Sequence, residues 1–423
     1  MSLQGPLIVV ADSPAAGLGA ALSAAGAFPI VETKWADAPT AFVSVKPTAV
    51  IIAEPGAPKS ESSARTLCLQ IATATSPIVP VIARVRGDQG TAVPIALPVD
   101  MAQPIERLIA RLQSALRVRA LHATVLRRIE TVATHDGDGK LPPFPVGDAL
   151  EDATVLVAGR GPRYAQLGVA MAEKVQMLGA LSVEIAAKHL DARDIDGIVV
   201  ADGFSQRMMN EFLTVLAQDN RFRDIPVAVI SDVAPEYAEA LPYIDQIDGD
   251  AAHIVARMLP LVRLHAFSVR LKRMMKTLDT EGMFDPDTGL LTWHAFWQEL
   301  QQTIAEVSER STPVSLARFS FDGPRDRRVS KHGARLMARL IRNIDFACRQ
   351  DDGGILVAFA QTDLRDAHVA ARRIAGVIKK TMLMPRQAGN KISANVTLAT
   401  FKAGDTLQKL MLRVMGGAAV AAK

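Results

Sequence analysis

What the chain lacks narrows it first. Its 423 residues include only two cysteines, Cys68 and Cys348, with no metal-ligand spacing and no disulfide framework. No apolar run approaches the roughly 20 residues a membrane-spanning helix needs, and the first residues carry no charged-then-apolar leader. A cytoplasmic location without a membrane partner is expected. Dense basic tracts with interleaved aromatics are missing and the net charge is only +4, which argues against a nucleic-acid partner. What is there is ordinary for a globular chain: 49% hydrophobic and 22% charged residues, at a length that suits two to four domains.

Short apolar runs separated by helical stretches organise the first third. Residues 6–11, 29–33, 49–53, 78–83 and 92–97 are predicted strands, and 103–128 is a long closing helix. Apolar strands spaced by helices specify a flavodoxin-like, doubly wound parallel sheet over 1–130. Residues 131–150 hold Asp136-Gly137-Asp138-Gly139 and Leu141-Pro142-Pro143-Phe144-Pro145, a composition that resists packing and reads as a linker. The alternation then resumes over 151–262, with strands at 153–158, 197–201 and 227–230 and a helix at 163–178. Residues 251–278 read as one long helix, kinked at Pro260, whose later part within 263–283 connects to a last unit over 284–423. Its basic residues read as a solvated face.

Both doubly wound units resemble receiver domains of response regulators. That resemblance implies an Asp phosphoacceptor ending the third strand, an acidic pair after the first and a Lys before Pro on the fifth. In the first unit the third strand delivers Ala53-Glu54, Asp12 alone stands for the acidic pair, and Leu97 precedes Pro98. Without an Asp nucleophile or a metal pocket, aspartyl phosphorylation is not expected, and Glu54 reads as a solvated strand-end carboxylate. In the second unit Ala201 holds the acceptor position, and Gly159-Arg160 replaces the acidic pair. Asp202, one residue further on, is the only candidate phosphoacceptor and reads as a turn residue. Two pseudo-receivers, each without metal, are the expectation.

The most informative stretch runs from Arg342 to Phe359. Asp352-Gly353 is a hairpin signal, since Gly accepts positive φ without a Cβ clash. Arg342 and Asp345 sit three apart where a helix ends, so both are expected to project to one side. An arginine fork beside a carboxylate matches the donor and acceptor edge of a guanine.

The same stretch, with Asp285-Pro286-Asp287-Thr288-Gly289-Leu290 upstream, resembles the GGDEF family of diguanylate cyclases. The likeness holds in the flanks and fails at the signature turn, which here reads Asp351-Asp352-Gly353-Gly354-Ile355. It covers roughly the last third of the chain, and the receiver–receiver–GGDEF order is that of the PleD/PopA type of response regulator. The resemblance implies an α+β domain whose Arg342 and Asp345, with Arg373 in ungapped register beyond the hairpin, bind cyclic di-GMP at a product-inhibition site. It also places the two metal-facing Asp positions of the first strand on Arg318 and Ser320. Gly353 and Gly354 stand where the turn's two carboxylates belong. No catalytic residue, metal or cofactor is therefore expected.

The function that follows is a non-catalytic cyclic di-GMP receptor. It would dimerise through its receiver-like units and signal through protein partners. A nucleotide-independent dimerising scaffold and a residual diguanylate cyclase are the alternatives.

Overall fold

The computed structural model describes residues 3–416, apart from 14, 16, 55–60, 74–76, 88–92, 136–146, 220, 231–232, 242, 279–282, 311, 323–326 and 382–392. The centre of the expected linker, the start of the expected strand at 92–97 and the residues after 416 lie outside that set.

Three sheets follow one another along the chain. The first joins Gln4–Val10, Phe28–Thr33, Ala49–Ile52, Val81–Val85 and Leu97–Asp100, all parallel, in the order 2-1-3-4-5. The second joins Thr154–Ala158, Gln176–Ala180, Gly197–Val200, Val227–Val229 and Ile244–Gln246 in the same order. This is the flavodoxin-like doubly wound arrangement. Its central strands are buried on both faces, as in Ala49–Ile52 and Gly197–Val200, which is why their sequences are unbroken apolar runs rather than alternating ones.

Two expected elements are displaced. The fifth strand is Leu97–Asp100 rather than 92–97; Val93 and Ala96 are buried in the turn that leads into it. Leu97-Pro98 therefore opens that strand, and Met101-Ala102-Gln103 precede the proline after it. The helix expected over 163–178 is Pro162–Ala172, and Gln176–Ala180 is instead the edge strand of the second sheet, in register from Thr154↔Gln176 to Ala158↔Ala180. Met-Leu-Gly-Ala has no β-branched residue, so propensity alone did not mark it as a strand.

The third unit runs Ser315–Asp322, helix Arg327–Leu340, Phe346–Arg349, Ile355–Phe359, helix Leu364–Thr381 and Ser393–Thr400. This β-α-β-β-α-β order makes a four-stranded antiparallel sheet, with its second and fourth strands at the edges. Successive side chains leave opposite faces. Ala317, Phe319 and Val357 pack under the two helices just named, whereas Leu316, Phe346 and Leu356 meet Phe296 and Leu300 of helix Trp293–Arg310.

Two long helices, Ile105–His135 and Ala251–Leu278, form a common spine. The first extends past the expected linker boundary, and the second continues through Pro260. Leu112 and Leu116 share a core with Met258 and Leu261 between the first two sheets, while Leu121 and Val125 share one with Leu271, Met275 and Phe346 of the third. Buried ion pairs lock the joints. Arg111 grips Asp245 through both carboxylate oxygens at 3.0 and 3.1 Å, and Arg128 meets Glu299 at 3.0 Å. No described helix is long and apolar enough to cross a membrane.

Candidate functional site

Helix Arg327–Leu340 stops before the Arg342–Asp345 loop, so the spacing of three falls in a turn, closed by the Asp345 N–H donating to the Arg342 carbonyl at 3.0 Å. The two residues consequently differ in burial. Arg342 is exposed, whereas Asp345 is only 4% exposed. Its carboxyl is turned inward, accepting from the Arg342 N–H at 3.4 Å and from the Ala360 N–H at 3.2 Å. The carboxyl satisfies two backbone donors that burial would otherwise orphan. Burial pushes Asp345 up to about 7, against the pull of the Arg342 and Arg373 guanidinium groups and of those two N–H donors.

Arg373 lies exposed on helix Leu364–Thr381, near enough to act on the same carboxyl. Among the described residues, no hydrogen bond or ion pair engages the guanidinium of Arg342 or of Arg373. The fold therefore gathers the three residues around one point, with two free cations outside and one carboxyl within.

The turn between Phe346–Arg349 and Ile355–Phe359 is a three-residue loop closed by Gln350 and Gly354. Gly353 takes φ +85° and donates to the Gln350 carbonyl, and the Gln350 N–H reaches the Gly354 carbonyl at 2.7 Å. Beneath it, Arg318 of the first strand donates to Gln350 Oε1 at 2.9 Å and to the Asp352 carboxylate. A guanidinium thus joins strand and turn directly. No group of three metal-ligating side chains occurs among the described residues.

Two cavities flank Arg342. One, of about 460 Å³, lies between the spine helices, the second sheet and the Arg342 loop, with Arg117, Tyr243, His265, Lys272 and Asn343 on its walls. The other, of about 420 Å³, lies between the spine and the third unit, against Lys276, Phe284, Asp345 and Phe346. Lys272, Arg342 and Asn343 line both. Nothing in the sequence signalled the first cavity, because its walls come from stretches more than 200 residues apart.

The acid positions of the two doubly wound units are structurally occupied. Glu54 is not a solvated strand end: it accepts from the Ser13 N–H at 2.7 Å and the Asp12 N–H at 3.2 Å, stapling the loop after the first strand. Asp12 in turn accepts from the Trp35 N–H at 3.3 Å. Asp202 packs onto Gly161, where an added Cβ would fall 2.2 Å from its carboxyl carbon, and its backbone carbonyl receives the Arg160 and Gly161 N–H groups.

Comparison with protein-family profiles finds no match, and neither does comparison with curated proteins. Among solved structures the chain is similar to the coiled coil and GGDEF domain of DgcB from Caulobacter crescentus in complex with c-di-GMP, at 22% identity over 35% of this chain and 84% of that one, with a TM-score of 0.30. It is similar also to diguanylate cyclase SiaD of Pseudomonas aeruginosa in complex with its activator SiaC, at 20% identity over 36% and 65%, TM-score 0.30. The GGDEF domain of FimX from the same organism aligns at 16% identity over 32% and 91%, TM-score 0.29. Likeness at this level does not fix an activity.

Proposed function

We propose that this chain is a cyclic di-GMP receptor with a GGDEF-type last unit that does not itself make the dinucleotide, and that it acts through protein partners. The observation carrying this reading is the pair Arg342 and Arg373. They are exposed, not hydrogen-bonded or ion-paired to a carboxylate among the described residues, borne on different elements and grouped around one buried carboxyl. Two such forks supply bidentate donors for guanine O6/N7 edges and for phosphates. Asp345 serves by holding the loop in shape rather than as the first acceptor for a guanine.

The turn supports a loss of synthesis. Joining two GTP molecules requires divalent ions held by oxygen ligands, whereas the family resemblance puts Arg318 at a metal-facing position, and Arg318 engages Asp352. Asp351 would also face a triphosphate. One like-charge pair about 4 Å apart costs roughly 4 kcal/mol at an effective dielectric of 20.

The upstream units are read as pseudo-receivers in the receiver–receiver–GGDEF order, working in the cytoplasm as a homodimer. Glu54, committed to the Asp12-Ser13 loop, supports a first unit that is not phosphorylated. Titration calorimetry of the wild type and of Arg342→Ala with cyclic di-GMP tests the proposal. Saturable heat in the first and its loss in the second are expected; no heat in the wild type would sink the receptor.

The buried pairs Arg111–Asp245 and Arg128–Glu299 favour a second reading, a nucleotide-independent scaffold. A receptor gains stability from its ligand by mass action and a scaffold does not, so the thermal midpoint with and without cyclic di-GMP separates them.

A further inference from the structure

The spine occupies one edge of each doubly wound sheet. Arg111 donates to the Pro98 carbonyl in the fifth strand of the first unit and to Asp245 in the fifth strand of the second. In the third unit Leu291 donates to the Ala347 carbonyl along strand Phe346–Arg349, and Arg413 donates to the Thr400 carbonyl at the end of strand Ser393–Thr400. That leaves the second strands, Phe28–Thr33 and Gln176–Ala180, as the open edges of the two doubly wound sheets. The first is blunted in the usual way: Pro29 has no N–H to offer, and Glu32 carries a charge. Gln176-Met177-Leu178-Gly179-Ala180 has neither proline nor charge.

The parity of its hydrogen bonds identifies the groups that face out. The Gln176 N–H donates to the Ala153 carbonyl at 3.1 Å, and the Ala180 carbonyl accepts from the Gly159 N–H at 3.0 Å, both on the side of strand Thr154–Ala158. Backbone groups alternate sides along a strand. Met177 and Gly179 therefore direct their N–H and C=O groups away from the sheet, where no described strand pairs with them. Apolar side chains flank this edge. Val169 of helix Pro162–Ala172, Leu181 just past the strand and Ile185 of helix Val183–Ala192 are 68%, 54% and 41% exposed. Glu173 and Lys174 precede the strand; Glu184 and Arg160, which donates to the Leu181 carbonyl, stand at its end.

We infer that Gln176–Ala180 is the surface on which two copies of this chain associate, strand to strand and antiparallel about a two-fold axis at Leu178. In that register Met177 faces the partner's Gly179, and the pair exchanges both of its N–H···O bonds. Symmetry also sets the start of one strand beside the end of the other. Lys174 then has the partner's Glu184 within reach, and Glu173 the partner's Arg160, so each charge finds its opposite. This reciprocity selects a second copy over an unrelated partner. The assignment rests on the homodimer of the proposed function but not on cyclic di-GMP.

Sedimentation of the full chain tests it. The wild type should sediment at twice the 45.3 kDa of one chain. Met177→Pro removes an outward N–H and leaves the sheet's own ladder intact; it and Val169→Lys should each weaken association at least about tenfold. Phe28→Lys, at the other open edge, should leave it unchanged. Leu178→Cys should cross-link two copies on mild oxidation, because directly opposed Cβ atoms lie about 4.5–5.5 Å apart. Gln176→Cys should not, since the two positions would lie roughly 14 Å apart along the strands. Thermal midpoints of the variants, compared with the wild type, verify that each is folded. A monomeric wild type would overturn the homodimer together with this surface. A dimer that survives both Met177→Pro and Val169→Lys, or one that cross-links through Gln176→Cys and not Leu178→Cys, would overturn the surface alone.

Discussion

Arg128 donates to Glu299 at 3.0 Å in a place where neither side chain reaches solvent: the arginine is 7% exposed and the glutamate 0%. The two residues are 171 positions apart. Their contact ties the helix that closes the first sheet to the helix that backs the third. The guanidinium also lies 5.4 Å from the centre of the Phe284 ring, a cation–π contact at the same joint.

Removing one partner of such a pair strands the other. Glu299→Ala should therefore cost about 3 kcal/mol or more of unfolding free energy, measured by urea titration. The double change Arg128→Met with Glu299→Leu should recover much of it, because apolar residues of similar volume substitute well for a buried pair.

Two buried groups tilt stability with pH in opposite senses. His122, which accepts the Ile78 N–H at 3.1 Å, is held down to about 4 by burial and by the nearby Arg119. In the unfolded chain it protonates near its ordinary value, so its contribution is lost as pH falls from about 6.5 towards 4. Asp345 is raised to about 7 by burial. The folded protein there holds a proton that the unfolded chain releases near its ordinary value, so this contribution is lost as pH rises from about 4 to 7. Each slope is about 1.4 kcal/mol per pH unit. Wild-type stability should be nearly flat between pH 4.5 and 6.5, as far as these two groups set it. His122→Gln should then lose stability as pH rises, and Asp345→Asn should gain it, which denaturation at a series of pH values reads directly.

The unequal burial of Arg342 and Asp345 grades the proposed cyclic di-GMP site. Arg342→Ala and Arg373→Ala should each weaken binding by roughly 10- to 100-fold, the loss of a charge-assisted hydrogen-bond pair. Asp345→Asn should weaken it less, because the amide oxygen keeps one of the two backbone N–H bonds that Asp345 accepts on separate oxygens. Calorimetric Kd values for the three variants check the ranking.

Gly161 and Asp202 form a steric pair. Gly161→Ala sets a Cβ 2.2–2.4 Å from the Asp202 carboxyl group and should lower the thermal midpoint by several degrees. In an Asp202→Ala background the same change should be close to neutral, so a double-mutant cycle yields a large coupling energy.

How much of this was legible beforehand depended on range. Unbroken apolar runs such as Ala49–Ile52 announced buried parallel strands, and Gly353 announced a turn, because both signals are local. The strand Gln176–Ala180 begins inside the helix predicted over 163–178, since a glycine and unbranched side chains carry no strand signature and only pairing with Thr154–Ala158 makes them one. The burial of Asp345 was not legible, because a spacing of three does not reveal that the helix has already ended at Leu340. Asp245 and Glu299 showed nothing at all, their partners lying 134 and 171 positions away.

The helix Ile105–His135 is unbroken for 31 residues, about 46 Å at 1.5 Å per residue. It carries Arg111 to the second sheet and Arg127 and Arg128 to the third unit. Its phase therefore sets the azimuth of one joint against another, as a keyed shaft does. A single residue inserted between 112 and 126 would turn the far end by about 100° and unseat both arginines. Seven inserted residues, nearly two full turns, would return them to register but lengthen the shaft by about 10 Å.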